Sequence, residues 1–471
     1  MAIGAMAVTG FYDLGHFDHN DFQYGVAPVL LDHLRLYQDF SFDQTPLAPW
    51  LGLAVLKSTG PARLYTSLRL ISLLCVWASA GIGILICRKR AARKDLVTLL
   101  FIAGFVAMQP LVVIGGEIGN YSLGLVLSAA ALWVFLERRE WAVLAGLFAG
   151  LAVSAKLSNV YQQAAFGLLY FAGAERWRRT AWFKLGAAIG IAPILYYLLR
   201  APRPFWFENV SYHYLINIYR GVPFHIAIWP LVMVALLVLV ASPLLWAEAW
   251  ALVALLAAAM IGLVTPGILF PQYWAPADFF LLLLGCLIFA RRVERWEWMA
   301  RGVAVVAVLC AVIQAGAMAA EAVAQARGGF YGLAAVNGLR GRITAAMAPI
   351  EAAHPRCHGD LISAFAATAV GSGLRVAPIS SEGPFMMRLD PVLKGRADWF
   401  RNYSDVNRYL SARSVLMIGY DPGTGFEGAM RDYAAANGFR SVGLGSFLGH
   451  GVTLEVPRGC GGTSVGFDAA K

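Results

Sequence analysis

The chain has 471 residues, 59% of them hydrophobic and only 14% charged, and its mean hydropathy is +0.62. One soluble core of this size does not hide so much apolar surface, so a bilayer has to take the rest. The formal charge of +10 does not point to nucleic acid, because Lys and Arg stand in short runs between apolar stretches rather than on one soluble face; that pattern orients a chain in a membrane and meets anionic membrane lipids.

Met1 to Phe11 is apolar but too short to span, so the chain begins with a half-helix or downstream of a missing first transmembrane helix, and it lacks the basic start of a signal peptide. Gly10 to Pro61 sets Asp13, Asp18, Asp21, Asp32, Asp39 and Asp43 among apolar residues at helical spacing. Val26, Leu30, Leu31 and Leu34 mark one face of a short helix, and Pro46 to Leu56 reads as a second. Both are expected to lie flat at the membrane surface.

Ten apolar stretches of spanning length follow, beginning near Ala62, Asp95, Tyr121, Trp141, Gln162, Trp182, His225, Ala247, Gln272 and Arg301. Those at Trp141 and Gln162 are short, and the break between them at Lys156 to Tyr161 suits a re-entrant turn. Basic loops fix the orientation. Arg88 to Lys94, Arg138 and Arg139, Arg176 to Arg179, and Arg291 to Arg301 fall on one side, read as the cytoplasm. The connection Leu244 to Trp250 has no basic residue and is the weakest link in the count. The opposite side then receives Gly10 to Pro61, the neighbourhood of Glu117, Arg200 to Phe224, the turn at Phe270 to Trp274 and everything after about Ala322.

Beyond that point the chain reads as a small α/β domain: a strand at Ser414 to Tyr420, a helix at Gly425 to Asn437 stopped by Gly438, and strands at Ser441 to Leu444 and Gly451 to Val456. Gly419, Gly423 and Gly425 do not have the spacing of a nucleotide-binding fingerprint. Cys75, Cys87, Cys286 and Cys310 lie in apolar stretches as small hydrophobes, whereas Cys357 and Cys460 bracket the polar C-terminal region and are placed to pair in an oxidising compartment. The expected organisation is 1–61, a truncated first helix and outer loop; 62–321, a multi-pass α-helical membrane domain; and 322–471, a periplasmic α/β domain.

The run Asn20-Asp21-Phe22-Gln23-Tyr24, followed by Leu36 to Trp50 (LYQDFSFDQTPLAPW), resembles the first periplasmic loop of GT-C glycosyltransferases, in particular the protein mannosyltransferase and aminoarabinose transferase superfamily. Gly146 to Lys156 (GLFAGLAVSAK) is similar to that family's Gly-Leu-Ala-x-x-x-Lys segment, and Gln272-Tyr273 with Pro276 to its Arg-Tyr and Pro. The resemblance covers about Asp13 to Arg292. It implies an inverting transfer of a sugar from a polyprenyl-phosphate donor to a lipid, glycan or protein acceptor at the outer face of a bacterial inner membrane. Nucleic acid has no part in it.

Such chemistry needs a carboxylate to take the acceptor's proton and cationic or hydrogen-bonding groups for the leaving phosphate. Asp21 is the first choice for the base; because the family's acid pair is here Asn20-Asp21, Asp18 is the alternative. Asp43-Gln44-Thr45-Pro46 stands where the family has Glu-Lys-Pro-Pro, so Asp43 and Gln44 take the place of a phosphate-binding lysine. Glu117, with Asn120 as the other alignment, supplies a second acid position. Lys156, an ionisable residue in an apolar stretch, is a functional candidate by default. Arg200, His213 and Arg220 in the third outer loop and Tyr273 complete the expected substrate and phosphate contacts. No metal site is expected, and a divalent cation is left open. A transporter would concentrate charges at the midplane and show inverted repeats, whereas here no repeat is evident and the polar residues crowd the outer loops; a non-catalytic envelope scaffold would use the Asp-rich loop for docking.

Overall fold

A computed structural model describes residues 19–173, 175–215, 247–264, 271–292, 333–353, 359–381, 404–419, 425–447 and 449–458, with scattered positions in 302–320 and the pair 386–387. The His225 stretch, Asp18, Arg220, Cys357 and Cys460 lie outside the described residues. The chain forms two compact units, one of Met1–Asp43, Pro49–Ser67 and Ala322–Lys471, the other of Gln44–Ala48 and Leu68–Glu321. The N-terminal segment, expected to stand as a region of its own, therefore folds with the C-terminal region.

In the first unit, α1 (His19–Leu31) and α2 (Leu47–Thr59) occupy the two expected helical stretches. They meet closely: a Cβ on Gly52 would lie 2.3 Å from the Pro28 ring. The α1 face marked by Val26 and Leu30 is fully buried within protein. It packs on the short turn Ala366–Ala369, with Ala367 near Gly25. An interfacial helix was expected to bury that face in lipid, and this is a correction. Between the helices, Tyr37 takes a left-handed conformation (φ 63°), and Asp39 closes the turn by accepting from the Arg35 backbone N–H at 2.8 Å and from its guanidinium at 2.8 and 3.0 Å.

The second unit is helical. α3 (Pro61–Arg90), which begins in the first unit, and α6 (Asn120–Glu137) are long and apolar enough to cross a membrane, as is the segment Gln272–Arg291. Two bent pairs also qualify: α4 (Lys94–Ala107) with α5 (Gln109–Gly116), turning by 68°, and α9 (Arg176–Gly190) with α10 (Ala192–Arg200), turning by 54°. Pro110 and Pro193, in the first turn of α5 and α10, account for both bends. α7 (Ala142–Ala155), α8 (Val160–Phe171) and α11 (Ala247–Val264) are further helices, and α12 (Ala275–Arg292) carries most of the last span. Among the described residues, three helices are long enough to span, or five counting each bent pair once, against ten expected. The His225 stretch and much of the Arg301 stretch lie outside the described residues, and the Trp141 and Ala247 stretches form shorter apolar helices. The expected break after Lys156 is a single 3-10 turn, Leu157–Asn159.

Two contacts organise this unit. α7 and α9 approach through glycines four apart, Gly146 and Gly150 on one helix and Gly186 and Gly190 on the other. A Cβ on any of the four would fall within 2.5 Å of a backbone oxygen of the facing helix. Ser154 Oγ donates to Gly190 O at 2.7 Å. At the far ends of α3, α6 and α11, Glu137 takes both Lys89 and Arg90, while the Arg90 guanidinium reaches Glu248 at 2.9 and 3.2 Å. The connection before α11, which lacks a basic residue of its own, thus shares an end with Arg90. Leu74, Trp77 and Leu85 on α3, Leu199 on α10 and Ile313 leave large apolar side chains exposed, a surface suited to lipid.

The chain returns to the first unit with α13 (Leu333–Ala353), β1 (Asp360–Ile362), β2 (Arg375–Val376), β3 (Val415–Ile418), α14 (Phe426–Ala436), β4 (Arg440–Phe447) and β5 (His450–Val456). The sheet order is β2-β1-β3-β5-β4, parallel among the first three and antiparallel at β3–β5 and β4–β5. β3 is buried along its length, and Gly438 ends α14 at φ 62°. The buried Glu427 carboxylate accepts the Gly419 N–H at 2.9 Å on both oxygens and pairs with Arg431 at 3.1 Å.

Candidate active site

Lys156 ends α7 in an extended conformation (φ −152°, ψ 121°), its N–H still bonded to Ala152 O at 2.9 Å. The side chain leaves the helix end and lies between aromatic rings: Nζ is 3.8 Å from the centre of the Tyr121 ring and 4.6 Å from that of Tyr273. The two rings stack on each other at 5.2 Å and 26°. A cation on such faces is attracted by the ring quadrupoles, more so where water is thin. The turn after Lys156 is held by Asn159, whose Nδ2 donates to Ala152 O at 2.9 Å and whose Oδ1 accepts from Gln162 Nε2 at 3.1 Å. Gly124 and Gly262 make room for it, since a Cβ on either would lie 2.7 Å from Asn159 Nδ2 or 2.8 Å from Ser158 O.

These residues line a narrow pocket walled by Tyr121, Lys156, Ser158, Asn159, Gln162, Gly262, Tyr273 and Pro276. On the other side of Tyr121 along the chain, the fully buried Asn120 donates to Gln44 Oε1 at 2.8 Å. Gln44 is therefore joined by one hydrogen bond and one peptide link to the ring that supports Lys156. Glu117, 7% exposed, ends α5 three residues before Asn120. The arrangement offers a fixed cation, amide donors and aromatic faces around a small opening, the equipment for holding a phosphate and a sugar ring.

No protein family and no curated protein matches this sequence. Solved structures do. ArnT from Cupriavidus metallidurans in the apo state superposes with a TM-score of 0.60 at 13% identity, over 98% of each chain. The same protein bound to undecaprenyl phosphate superposes with a TM-score of 0.58 at 14% identity, over 98% of this chain and 99% of that one. The chain has an ArnT-like fold. The loop motifs and the Gly-x-x-x-Gly to Lys156 segment pointed to the same fold.

Within the ArnT-like fold the expected site residues fall into groups. Gln44, Lys156 and Tyr273 gather with Asn120 and Tyr121, and Glu117 lies just before them in the chain. Asp43, 6% exposed, precedes Gln44 and belongs to the first unit. Asp21 lies in the first turn of α1. Arg200 is exposed at the end of α10, 5.9 Å over the Tyr196 ring, and half-buried His213 sits edge-on to Tyr212 at 5.5 Å; neither lines the Lys156 pocket. Among the described residues no cluster of three His, Cys, Asp or Glu side chains is placed to hold a metal.

Tyr121, Asn159 and Gln162 escaped the sequence reading, although Ser158 and Asn159 so soon after an intramembrane lysine were a usable signal. Arg69 and Glu208, both wholly buried in the second unit, escaped it too, because each is a single charge inside an apolar or aromatic stretch.

Proposed function

We propose that the protein is an inverting glycosyltransferase that moves a sugar from a polyprenyl-phosphate donor to an acceptor at the periplasmic face of a bacterial inner membrane. The observation that carries this reading is Lys156, fixed over Tyr121 and Tyr273 at the mouth of a pocket beside the Gln44–Asn120 pair. The ArnT-like fold supports it, since one of the matching structures holds undecaprenyl phosphate. In this scheme the acceptor hydroxyl gives its proton to Asp21, with Asp18 as the alternative, as its oxygen bonds to the anomeric carbon. The bond from that carbon to the donor phosphate breaks, and the charge left on the phosphate falls to Lys156. Asp43, Gln44, Arg200, His213, Arg220 and Tyr273 are the further proposed substrate and phosphate contacts, and Glu117 is a further candidate catalytic acid. Asp21→Asn is expected to lower transfer from a purified polyprenyl-phosphate sugar by about 10²- to 10⁴-fold with donor binding retained. Unchanged turnover in both Asp21→Asn and Asp18→Asn would refute the reading.

A further inference from the structure

The connections at the end of α7 away from Lys156, about 20 Å from it, carry Arg138, Arg139, Arg176, Arg178 and Arg179 against Glu140 and Glu175, the neighbouring Glu137 being taken by Lys89 and Arg90. Glu175 pairs with Arg178 at 2.7 Å and Arg179 at 3.3 Å. Arg138, Arg139 and Arg176 have no carboxylate partner among the described residues. Their guanidiniums rest on aromatic faces instead: Arg139 at 4.6 Å from the Phe135 centroid, Arg138 at 5.6 Å from Trp141, and Arg176 at 5.8 Å from both Phe171 and Trp177.

Three of these arginines occupy the first turn of the 15-residue α9, which has no acid in that turn and no side-chain cap. Positive side chains there oppose the helix dipole and stand beside unbonded backbone N–H groups, and a bound anion reverses both penalties. A second, independent feature is Tyr170. Its side chain is 1% exposed and its hydroxyl has no hydrogen-bond partner. The hydroxyl ends within the field of Arg139, Arg179 and Glu140. The ring cannot swing clear, being wedged between Phe135 at 5.1 Å and Phe183 at 5.2 Å. Beside this polar spot, Leu168 and Trp177 are 69% and 70% exposed, an apolar wall for acyl chains.

We propose that this end of the protein binds one anionic phospholipid, its headgroup phosphate held by Arg139, Arg176 and the first amides of α9 above the Tyr170 hydroxyl, its chains along Leu168 and Trp177. The source is a lipid rather than free phosphate because the arginine cluster continues directly into exposed apolar surface.

Native mass spectrometry of the full chain titrated with phosphatidylglycerol, phosphatidylcholine or inorganic phosphate tests it. Phosphatidylglycerol is expected to bind selectively, and the exposed pair Arg139→Gln/Arg176→Gln to weaken it roughly 30-fold, at about five- to sixfold per arginine. Tyr170→Phe, which removes one oxygen, is expected to weaken it about threefold. The equal charge change Arg93→Gln/Lys94→Gln is expected to leave affinity within about twofold, as it lies outside the cluster. Equal affinity for phosphatidylcholine, full retention in the Arg139/Arg176 variant, an equal loss in the Arg93/Lys94 control, or displacement by inorganic phosphate at matched concentration would each overturn the proposal.

Discussion

Arg90 and Lys156 are both cations at the ends of apolar helices, yet the second unit treats them differently. Arg90 is clamped by Glu137 and Glu248 and ties α3, α6 and α11 together. Lys156 lies on the π faces of Tyr121 and Tyr273 and lines a pocket. A carboxylate clamp ties a cation to the helices that meet at it, whereas an aromatic cradle fixes the position of a cation that lines a pocket. One arrangement suits architecture and the other suits chemistry.

That contrast breaks most visibly at Arg90. Arg90→Met leaves Glu137 with Lys89 alone and removes the Arg90 contact of the partly exposed Glu248, and is expected to cost about 1.5 to 3 kcal/mol, read as a fall in the thermal midpoint in detergent whatever the activity. Lys156→Met should do the reverse, lowering kcat/KM for transfer about 10²-fold while the midpoint hardly moves, and Lys156→Arg should keep part of the activity because the charge stays. Wild-type kinetics in the Met variant would make Lys156 architectural as well. Gly150→Val sits between the two cases: its new side chain would meet Ala187 O on α9, so a loss of about 1 to 3 kcal/mol should come together with weaker transfer, since α7 ends in Lys156. The smallest effect is expected at Asp39, whose carboxyl is held below the usual range chiefly by its hydrogen bond to Arg35. That contribution is in place above about pH 4, the unfolded value, and fades as the pH falls through the lower folded value. Asp39→Asn should therefore cost under about 1 kcal/mol at neutral pH, the pair being largely solvated, and should flatten the acid limb of a stability–pH curve.

The sequence made the membrane-helical class, the C-terminal strands β3 to β5 and helix α14 readable, because each follows a local period or a glycine stop. It also singled out Lys156, as a lone charge against an apolar background. Tyr121 stayed hidden because a tyrosine at the head of an apolar stretch has the look of an interfacial anchor, and only folding sets it against Lys156. The same holds for Gln44 and Asn120, 76 positions apart and joined by one hydrogen bond. β1 and β2, three and two residues long, are too short to carry a strand period. The fate of α1 was the most instructive miss, since an apolar face tells that something covers it but not whether lipid or protein does. Glu248 explains the connection before α11: its link to Arg90 lies 158 positions away, beyond any loop-charge rule.

The glycine contact between α7 and α9 also bears on how the chain is made. At 14 residues α7 measures about 21 Å, short of a hydrocarbon layer about 30 Å thick. Its partner glycines, Gly186 and Gly190, are synthesised some 40 residues later. During translation α7 therefore exists before its packing surface does, and the surroundings of Lys156 are completed later still, once Tyr273 has been made.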